Sequence, residues 1–387
     1  MLRVTDDVKL DFDDVLIIPQ PSDLNSRSEV SLERTICMPN AKTINPYEWD
    51  SRAEYAKDFF NRPKVCWQGT PVICANMDTV GTMEMAKKFA EEKMLVALHK
   101  HYTKDELIDF FCFNRKLWMN VFYTVGSSDS DFQKLENVRA EIREISAGSS
   151  NLEDHMFPRM ICLDIANGYS KHFCEAVKRY RETYPWAIIM AGNVVTGNMA
   201  EKLIEYGADI VKIGIGPGAV CTTRLKTGVG FPQLPACAEC AFQVHGAPAG
   251  HICADGGCRT AGDVSKAFAA GADFVMLGSM LAGTDACEGE WTFNEDGSKK
   301  ELKFYGMSSS AAQEKYNGGL KKHRTSEGRE VVVPYKGKTE DIIQDILGGV
   351  RSACTYTGAK NIKDLPKCAK FARVNSTHND YFERNGA

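Results

Sequence analysis

The sequence predicts a (β/α)8 TIM barrel, an α/β fold in which eight parallel strands alternate with helices. Eight short apolar runs recur along the chain, and segments with helical periodicity lie between them. The apolar cores of these runs are continuous rather than alternating, which is typical of parallel strands covered on both faces. Eight such units favour a closed barrel over an open doubly wound sheet. No GxGxxG sequence opens a helix after an early strand, which argues against a Rossmann fold.

The predicted strands and helices follow one another in regular order. The strands lie within 71–78, 95–100, 118–126, 159–168, 187–194, 209–216, 251–257 and 274–279. Helical patterns between them include 83–93, 170–184, 198–208 and 261–272. The last two patterns end in Gly-Ala just before the next strand, which is a common way for a helix to stop. We therefore treat residues 1–387 as one catalytic barrel domain.

Two segments stand outside this repeat. Residues 1–70 form an N-terminal extension that includes a polar stretch at 40–63. Residues 285–337 form an insertion after the eighth strand, with a predicted hairpin at 290–306 around the turn sequence EDGS, then a polar segment dotted with glycines. An amphipathic helix is predicted to follow at 339–359. The insertion leaves from the carboxyl end of a strand, so we expect it to act as a flap over the active site.

Composition excludes several classes of function. The 387 residues are 43% hydrophobic and 25% charged, with a formal net charge of −4. This balance gives no electrostatic case for nucleic acid or an anionic membrane, and no apolar run approaches a membrane span. The N-terminus lacks the features of a signal peptide, so we expect a cytoplasmic protein whose fourteen cysteines are reduced thiols. The Cys237–Cys240 pair has the CxxC spacing of a metal or redox site, but its position in a predicted helix favours a structural role.

Polar or glycine residues follow nearly every predicted strand, at the end where barrel enzymes build their active sites. They are Asn76 and Asp78 after the first strand, Lys100 after the second, Asp164 after the fourth, Asn193 after the fifth, Asp255 after the seventh and Ser279 after the eighth. Glycines at 256, 257 and 278, together with the segment 306–310, predict a phosphate site made of backbone N–H groups. The Asp255 carboxylate beside them is suited to accepting hydrogen bonds from a ribose diol.

The sixth strand runs into the sequence GIGPGAVCTTR at 214–224, which contains Cys221. One interpretation is a glycine-rich turn whose cysteine fills a small apolar hole, because buried structural cysteines are common. The alternative is a nucleophile at the barrel rim, with Thr223 and Glu327 as partners in proton transfer. No histidine is placed to act as a base, so a Cys–His protease is disfavoured.

At these positions the sequence resembles the IMP dehydrogenase/GMP reductase family. The resemblance rests on DFDDVLIIP, ANMDTVGTMEMA, HKHY, LDIANGYS, MAGNVVTG, GIGPGAVCTTR, GVGFPQL, DGGCR, FVMLGS, FYGMSS, RTSEG and GGVRSACTY. These motifs occur in the order that the family shows and span nearly the whole chain. Together they are far more specific than a single glycine motif.

Three features favour the reductase branch of that family. The chain passes from HKHY directly into the next helix, where most dehydrogenases of the family insert a pair of regulatory CBS domains. Glu327 stands where the dehydrogenases carry a glutamine, and the NMDTVG and CTY sequences resemble the reductase versions. Two alternatives remain: a dehydrogenase without CBS domains, and an inactive barrel that binds purine nucleotides. The joint presence of Cys221, Thr223 and Glu327 argues against the inactive barrel.

The resemblance implies reductive deamination of GMP to IMP with NADPH. In that reaction Cys221 would attack C2 of the purine, while Thr223 and Glu327 would deliver the proton that lets ammonia leave. The resulting covalent thioimidate would accept hydride from NADPH at C2. Family members are usually homotetramers, so we expect a homotetramer.

The resemblance also implies the binding residues. GMP would contact Asp255, Gly256, Gly257, Gly278, Ser279, Gly306, Met307, Ser308, Arg324, Thr325, Ser326 and Gly328. NADPH would contact Lys100, Asp164, Ile165, Ala166, Ile215, Gly216, Met307, His323, Ser352, Ala353, Cys354 and Thr355, with Ser26 and Arg27 supplied by a neighbouring subunit. A monovalent cation, expected to be potassium, would be bound at Gly216, Gly218 and Cys221, in a loop that Arg224 closes.

The sequence departs from the family pattern at several positions. His323 stands where related reductases carry a tyrosine that contacts the cofactor. Ser279 replaces a glycine, and the 40–70 region and the turn of the predicted hairpin are lengthened. The first two departures concern the nucleotide contacts rather than the three residues expected to carry the chemistry.

Overall fold

Eight parallel strands close into a barrel, as the apolar runs predict. The computed structural model describes residues 4–5, 7–43, 64–147, 156–246 and 249–377. The strands are β1 (Val15–Ile18), β2 (Arg34–Lys42), β3 (Lys64–Gly69), β4 (Val72–Cys74), β5 (Leu95–Ala97), β6 (Val121–Val125), β7 (Met160–Asp164), β8 (Ile188–Val194), β9 (Ile210–Ile213), β10 (His251–Asp255), β11 (Phe274–Leu277), β12 (Trp291–Phe293), β13 (Lys299–Tyr305), β14 (Glu330–Pro334) and β15 (Lys370–Arg373). The barrel consists of β4 to β11, each within one of the eight predicted runs, and β11 pairs with β4 to close it.

The helices surround the barrel. They are α1 (Met83–Glu91), α2 (Lys104–Phe113), α3 (Asp129–Ile145), α4 (Lys171–Thr183), α5 (Gly197–Glu205), α6 (Thr223–Thr227), α7 (Gln233–Val244), α8 (Ala261–Ala269), α9 (Ser310–Asn317), α10 (Thr339–Thr357) and α11 (Leu365–Cys368). Several begin at a serine or threonine whose side chain accepts a hydrogen bond from a backbone N–H of the first turn, as at Thr82, Ser128 and Ser170. No helix in the described ranges is long and apolar enough to cross a membrane.

The hairpin β2–β3 closes the amino-terminal end of the barrel. Its apolar side chains, among them Ile36, Met38 and Trp67, pack into the same buried cluster as the barrel interior. Asp209, which precedes β9, accepts hydrogen bonds from the backbone N–H groups of Asn40 and Ala41 at 2.8 and 2.9 Å. This end of the barrel is therefore sealed, and the polar strand ends lie at the other. Of the polar stretch predicted at 40–63, residues 44–63 lie outside the described residues.

The expectation that all cysteines are reduced is wrong for one pair. Cys37 and Cys66 lie opposite each other in β2 and β3 and form a disulfide. A disulfide needs two Cβ atoms facing each other at short range, which depends on strand register and is invisible in the sequence. The other twelve cysteines are free. Cys237 and Cys240 are buried in α7, and no cluster of metal-ligating side chains is found among the described residues.

The insertion at 285–337 is more ordered than its composition indicates. Strands β12 and β13 form a hairpin, and β14 joins them as the third strand of an antiparallel sheet. The segment after the hairpin, predicted as polar and dotted with glycines, contains α9 and also β14, a strand that was not predicted. The alternating exposure of β14 explains the omission, because only Val331 and Val333 are half-buried in a stretch that otherwise faces solvent.

Candidate active site

The loop after β9 presents Cys221 at the open end of the barrel. Its glycines allow close approach to a neighbouring strand: Gly214 has a φ of +148°, and a Cβ there would lie 2.2 Å from the carbonyl oxygen of Asp255. Gly216 also has a positive φ, of +87°. Cys221 is half-buried and lines a cavity of about 280 Å³. The thiol therefore faces open space, which excludes the interpretation that it fills an apolar hole.

Cys221, Thr223 and Glu327 form a continuous chain of hydrogen bonds. The Cys221 thiol donates to Thr223 Oγ1 over 3.3 Å, and the Thr223 hydroxyl donates to Glu327 Oε2 over 2.8 Å. Thr223 is the first residue of α6, while Glu327 comes from the insertion. A carboxyl group linked to a thiol through one hydroxyl can pass a proton to a group bound at the thiol. The three residues singled out in the sequence are thus within reach of one another.

Backbone contacts hold the insertion against the Cys221 loop. Gly328 pairs with both Cys221 and Ser309 in short β-bridges, and the backbone N–H of Thr222 donates to the Glu327 carbonyl over 2.8 Å. A Cβ at Gly328 would lie 2.9 Å from the Ser309 nitrogen, so only glycine fits between the segments that contain Cys221 and Ser309. The insertion therefore covers the loop, as expected for a flap.

Two adjoining cavities open at the carboxyl ends of the strands, and both contact Asp255 and Gly218. The smaller, of about 90 Å³, is lined by the three glycines of the predicted phosphate site, Gly256, Gly257 and Gly278, and by Ser279, a predicted GMP contact. The larger is lined by Cys221, Thr223, Glu327, Asp164, Ile165, Ala166, Ile215, Gly216, Gly218, Gly306, Met307 and Ser308. The structure thus brings most of the predicted substrate residues, and six of the fourteen predicted cofactor residues, into one groove.

Other predicted residues do not line either cavity. They are Arg324, Thr325, Ser326, Gly328, Lys100, His323, Ser26, Arg27, Ser352, Ala353, Cys354 and Thr355. Arg324 and Thr325 are exposed, and Cys354 is fully buried within α10. The 3-10 turn Arg27–Glu29 packs beside α10, so the two outlying cofactor segments lie near each other on the outside of the barrel.

A buried lysine that the sequence analysis missed organises the floor of the larger cavity. Lys212 in β9 is 1% exposed, and its ammonium group contacts Asp164, Asp255 Oδ2 at 3.2 Å and Asn76 Oδ1 at 3.4 Å. The side-chain amide of Asn193 also donates to Asp255 Oδ2, over 2.8 Å. The sequence does contain an indication of this role, because a charged residue lies inside the apolar strand IVKI. Lysine is seldom fully buried without a partner of opposite charge.

The pKa shifts in this cluster follow from its charges. Burial alone would raise the pKa of Asp164, but the Lys212 ammonium outweighs burial and lowers it. Burial alone would lower the pKa of Lys212, but the carboxylates of Asp164 and Asp255 raise it well above its ordinary value. Lys212 is therefore a permanent cation that holds one carboxylate from β7 and one from β10 in fixed positions.

Replacing Lys212 with methionine should lower the free energy of unfolding at pH 7 by about 3–5 kcal/mol, because it leaves buried carboxylates without their cation. The loss should shrink as the pH falls, since protonation of the unpaired Asp164 removes the buried charge. Urea unfolding at pH 7 and at pH 5 measures both effects. Lys178→Met is the control, because Lys178 lies 4.0 Å from Glu182 and both side chains are more than half exposed. A Lys212→Met loss no larger than the control's would contradict this role.

The Cys221 loop also offers oxygen atoms of the kind expected to bind a monovalent cation. Gly216, Gly218 and Cys221 lie in one short turn, and backbone carbonyl oxygens are hard ligands that suit such an ion. The guanidinium of Arg224 is itself a cation, so a contact of this predicted residue with the ion would have to come from its backbone carbonyl oxygen. Its guanidinium binds Asp11 Oδ2 at 2.8 Å and donates to the Phe231 carbonyl at 2.7 Å, so it braces the loop from outside.

The fold and the site together define a (β/α)8 barrel with a cysteine and a proton relay under a flap at its open end. Residues 9–381 match the IMP dehydrogenase / GMP reductase domain, and the chain belongs to this family. It is 48% identical over 382 residues to human GMP reductase 1, covering 99% of this chain and 100% of the relative. The Caenorhabditis elegans GMP reductase is 46% identical over 383 residues, which are 99% of this chain and 96% of the relative. The GMP reductase of Vibrio parahaemolyticus (serotype O3:K6, strain RIMD 2210633) is 48% identical over 383 residues, covering 98% and 99%.

Proposed function

We propose that this protein catalyses the NADPH-dependent reductive deamination of GMP to IMP and ammonia. The observation that carries the proposal is the hydrogen-bonded chain from Cys221 through Thr223 to Glu327 at the wall of a groove that ends in a glycine-lined cavity. The full-length similarity to proteins named GMP reductase supports the same activity.

The groove offers a separate place for each part of GMP. The smaller cavity, with backbone N–H groups at Gly256, Gly257 and Gly278, suits the phosphate. Asp255 Oδ2 is occupied by Asn193 and Lys212, which leaves Oδ1 for the ribose hydroxyls. The base would then lie along the larger cavity with C2 toward Cys221. Met307 and Ser308 would border it, and the neighbouring segment at 324–328 would close over the nucleotide.

The chain's own residues account for the deamination step. The Cys221 thiol passes its proton through the Thr223 hydroxyl to the Glu327 carboxylate, and the thiolate adds to C2 of the purine, which makes this carbon tetrahedral and the exocyclic amine a possible leaving group. The Glu327 carboxyl, acting through the Thr223 hydroxyl, delivers the proton with which that nitrogen departs as ammonia. A thioimidate between C2 and Cys221 remains. Hydride addition at C2 gives a second tetrahedral carbon, and cleavage of its C–S bond releases IMP and restores the thiolate.

NADPH supplies the hydride when it is bound. Asp164, Ile165, Ala166, Ile215, Gly216 and Met307 line the part of the larger cavity that would hold the nicotinamide end. The rest of the cofactor would be contacted by Ser352 to Thr355, Lys100 and His323. Ser26 and Arg27 would contact the cofactor bound to a neighbouring subunit. This arrangement would need an assembly such as the proposed homotetramer, in which Ser26 and Arg27 of one subunit reach the cofactor of another. We further propose potassium at the Cys221 loop and a cytoplasmic location.

Product analysis tests the function directly. The purified protein is incubated with GMP and NADPH, and separately with IMP and NAD, and the nucleotides are resolved by chromatography. We expect IMP, ammonia and NADP in the first reaction and no turnover in the second. Turnover in the second reaction alone would assign the protein to the dehydrogenase branch. Nucleotide binding without turnover in either reaction would support an inactive barrel.

A further inference from the structure

The flap is attached to the barrel at a second point, remote from the Cys221 loop. Asp78, just beyond β4, is buried, and its side-chain Oδ2 accepts three hydrogen bonds. The donors are Tyr305 Oη at 2.5 Å, Tyr316 Oη at 2.7 Å and Lys315 Nζ at 3.0 Å. All three donors belong to the insertion: Tyr305 ends β13, and Lys315 and Tyr316 lie in α9. We call this set of contacts the latch.

An aromatic stack reinforces the latch from the next strand of the barrel. The ring of His101, four residues beyond β5, lies 3.5 Å from that of Tyr316, and the two rings are nearly parallel at 10°. Burial alone would raise the pKa of Asp78, but the tyrosine hydroxyls and the Lys315 ammonium outweigh burial and lower it. The anchor is therefore an ionised carboxylate, and hydrogen bonds to a charged partner are the strong ones.

Helix α9 connects the latch to the catalytic carboxylate. Its first residue, Ser310, donates its backbone N–H to Ser326 Oγ over 3.1 Å, and Ser326 Oγ donates to the Gly328 carbonyl over 3.0 Å. The backbone N–H of Glu327 also donates to the Ser308 carbonyl, over 3.2 Å. One end of this helix is thus fixed to Asp78 and the other to the residues on both sides of Glu327.

We propose that Asp78 is a positioning residue that latches the flap, so that Glu327 reaches Thr223 when substrate is bound. The proposal rests on the proposed function, since the proton relay is what the latch serves. Asp78 lines neither cavity, and its contribution passes through α9 to the reacting groups. Binding of the nucleotide phosphate, which the barrel loops provide, does not depend on it.

The test breaks the latch from each side. The double variant Lys315→Met with Tyr316→Phe removes two donors and keeps the aromatic ring over His101. Asp78→Asn keeps the size of the anchor and removes its charge. For both variants we expect kcat with GMP and NADPH to fall at least about tenfold, with KM for GMP changed less than about threefold. Amide hydrogen exchange across 326–330, read by mass spectrometry, should become at least about tenfold faster.

Tyr184→Phe is the matched control, because Tyr184 is also a buried tyrosine whose hydroxyl donates to a carboxylate, that of Glu136 in α3, and neither residue lines either cavity. It should change neither kcat nor exchange across 326–330. Unchanged exchange in the two latch variants would overturn the latch, and faster exchange with unchanged kcat would overturn the positioning role. Hydrogen exchange does not require activity, so a wild type inactive on GMP would contradict the proposed function and leave the latch to be judged by exchange alone.

Discussion

Replacement of Cys221 with alanine is expected to reduce turnover of GMP with NADPH by at least about 10⁴-fold. Without the thiol no covalent bond to C2 can form, so neither departure of ammonia nor the later hydride addition has its intermediate. Steady-state oxidation of NADPH, followed by absorbance, measures the loss. GMP affinity, measured by calorimetry, should stay within about threefold, because the phosphate and ribose contacts lie on other strands.

Cys112→Ala is the matched control for this experiment. Cys112 is also a free, half-buried cysteine, but it lies in α2 and lines neither cavity. Its replacement should leave both turnover and GMP affinity unchanged. Turnover by Cys221→Ala within tenfold of the wild type would refute the nucleophile assignment, whereas equal losses in both variants would indicate a general effect on folding.

Replacement of Glu327 with glutamine is expected to lower kcat by about 10²–10⁴-fold. Glutamine can still accept the hydrogen bond from Thr223, so the geometry of the loop is retained, but its amide cannot hand over the proton that ammonia needs. GMP affinity should again be preserved, and the defect should lie in the release of ammonia. A rapid-quench experiment that follows ammonia in the first turnover measures this step.

Glu330→Gln separates the chemical role of Glu327 from the general charge of the flap. Glu330 lies three residues further on, at the start of β14, where its partner is Lys303 at 3.3 Å. This pair is partly solvent-exposed and lines neither cavity, so we expect less than about a twofold change in kcat. If Glu330→Gln lost as much activity as Glu327→Gln, the loss would reflect flap charge, and Glu327 would no longer be the proton donor.

The barrel could be predicted from the sequence because its strands are covered on both faces and each appears as an unbroken apolar run. The same reasoning located Cys221, since a glycine-rich segment that ends such a run lies at the catalytic end of the fold. The partnership with Glu327 was different. More than a hundred residues separate Glu327 from Cys221, so the sequence could suggest only that the insertion returns over the active site, and the hydrogen bond through Thr223 is visible only in the fold.

The features that could not be predicted depend on contacts between residues that are far apart in the sequence. Lys212 lies inside an apolar strand, and nothing local in the sequence shows that Asp164 and Asp255 converge on it from two other strands. The Cys37–Cys66 disulfide depends on the register of β2 and β3. Likewise, the sequence offered Asp78 as one polar residue at a strand end, and only the fold shows that two tyrosines and a lysine of the insertion meet there.

The closed amino-terminal end of the barrel limits the routes by which substrates reach the active site and products leave it. Because β2 and β3 fill that end with packed side chains, the described residues leave no passage from the groove at Cys221 through the amino-terminal end of the barrel. Ammonia formed beside Cys221 would then leave on the side from which the nucleotides enter. Each catalytic cycle would then need the flap to lift at least once, so the departure of products would set an upper limit on the speed of the enzyme.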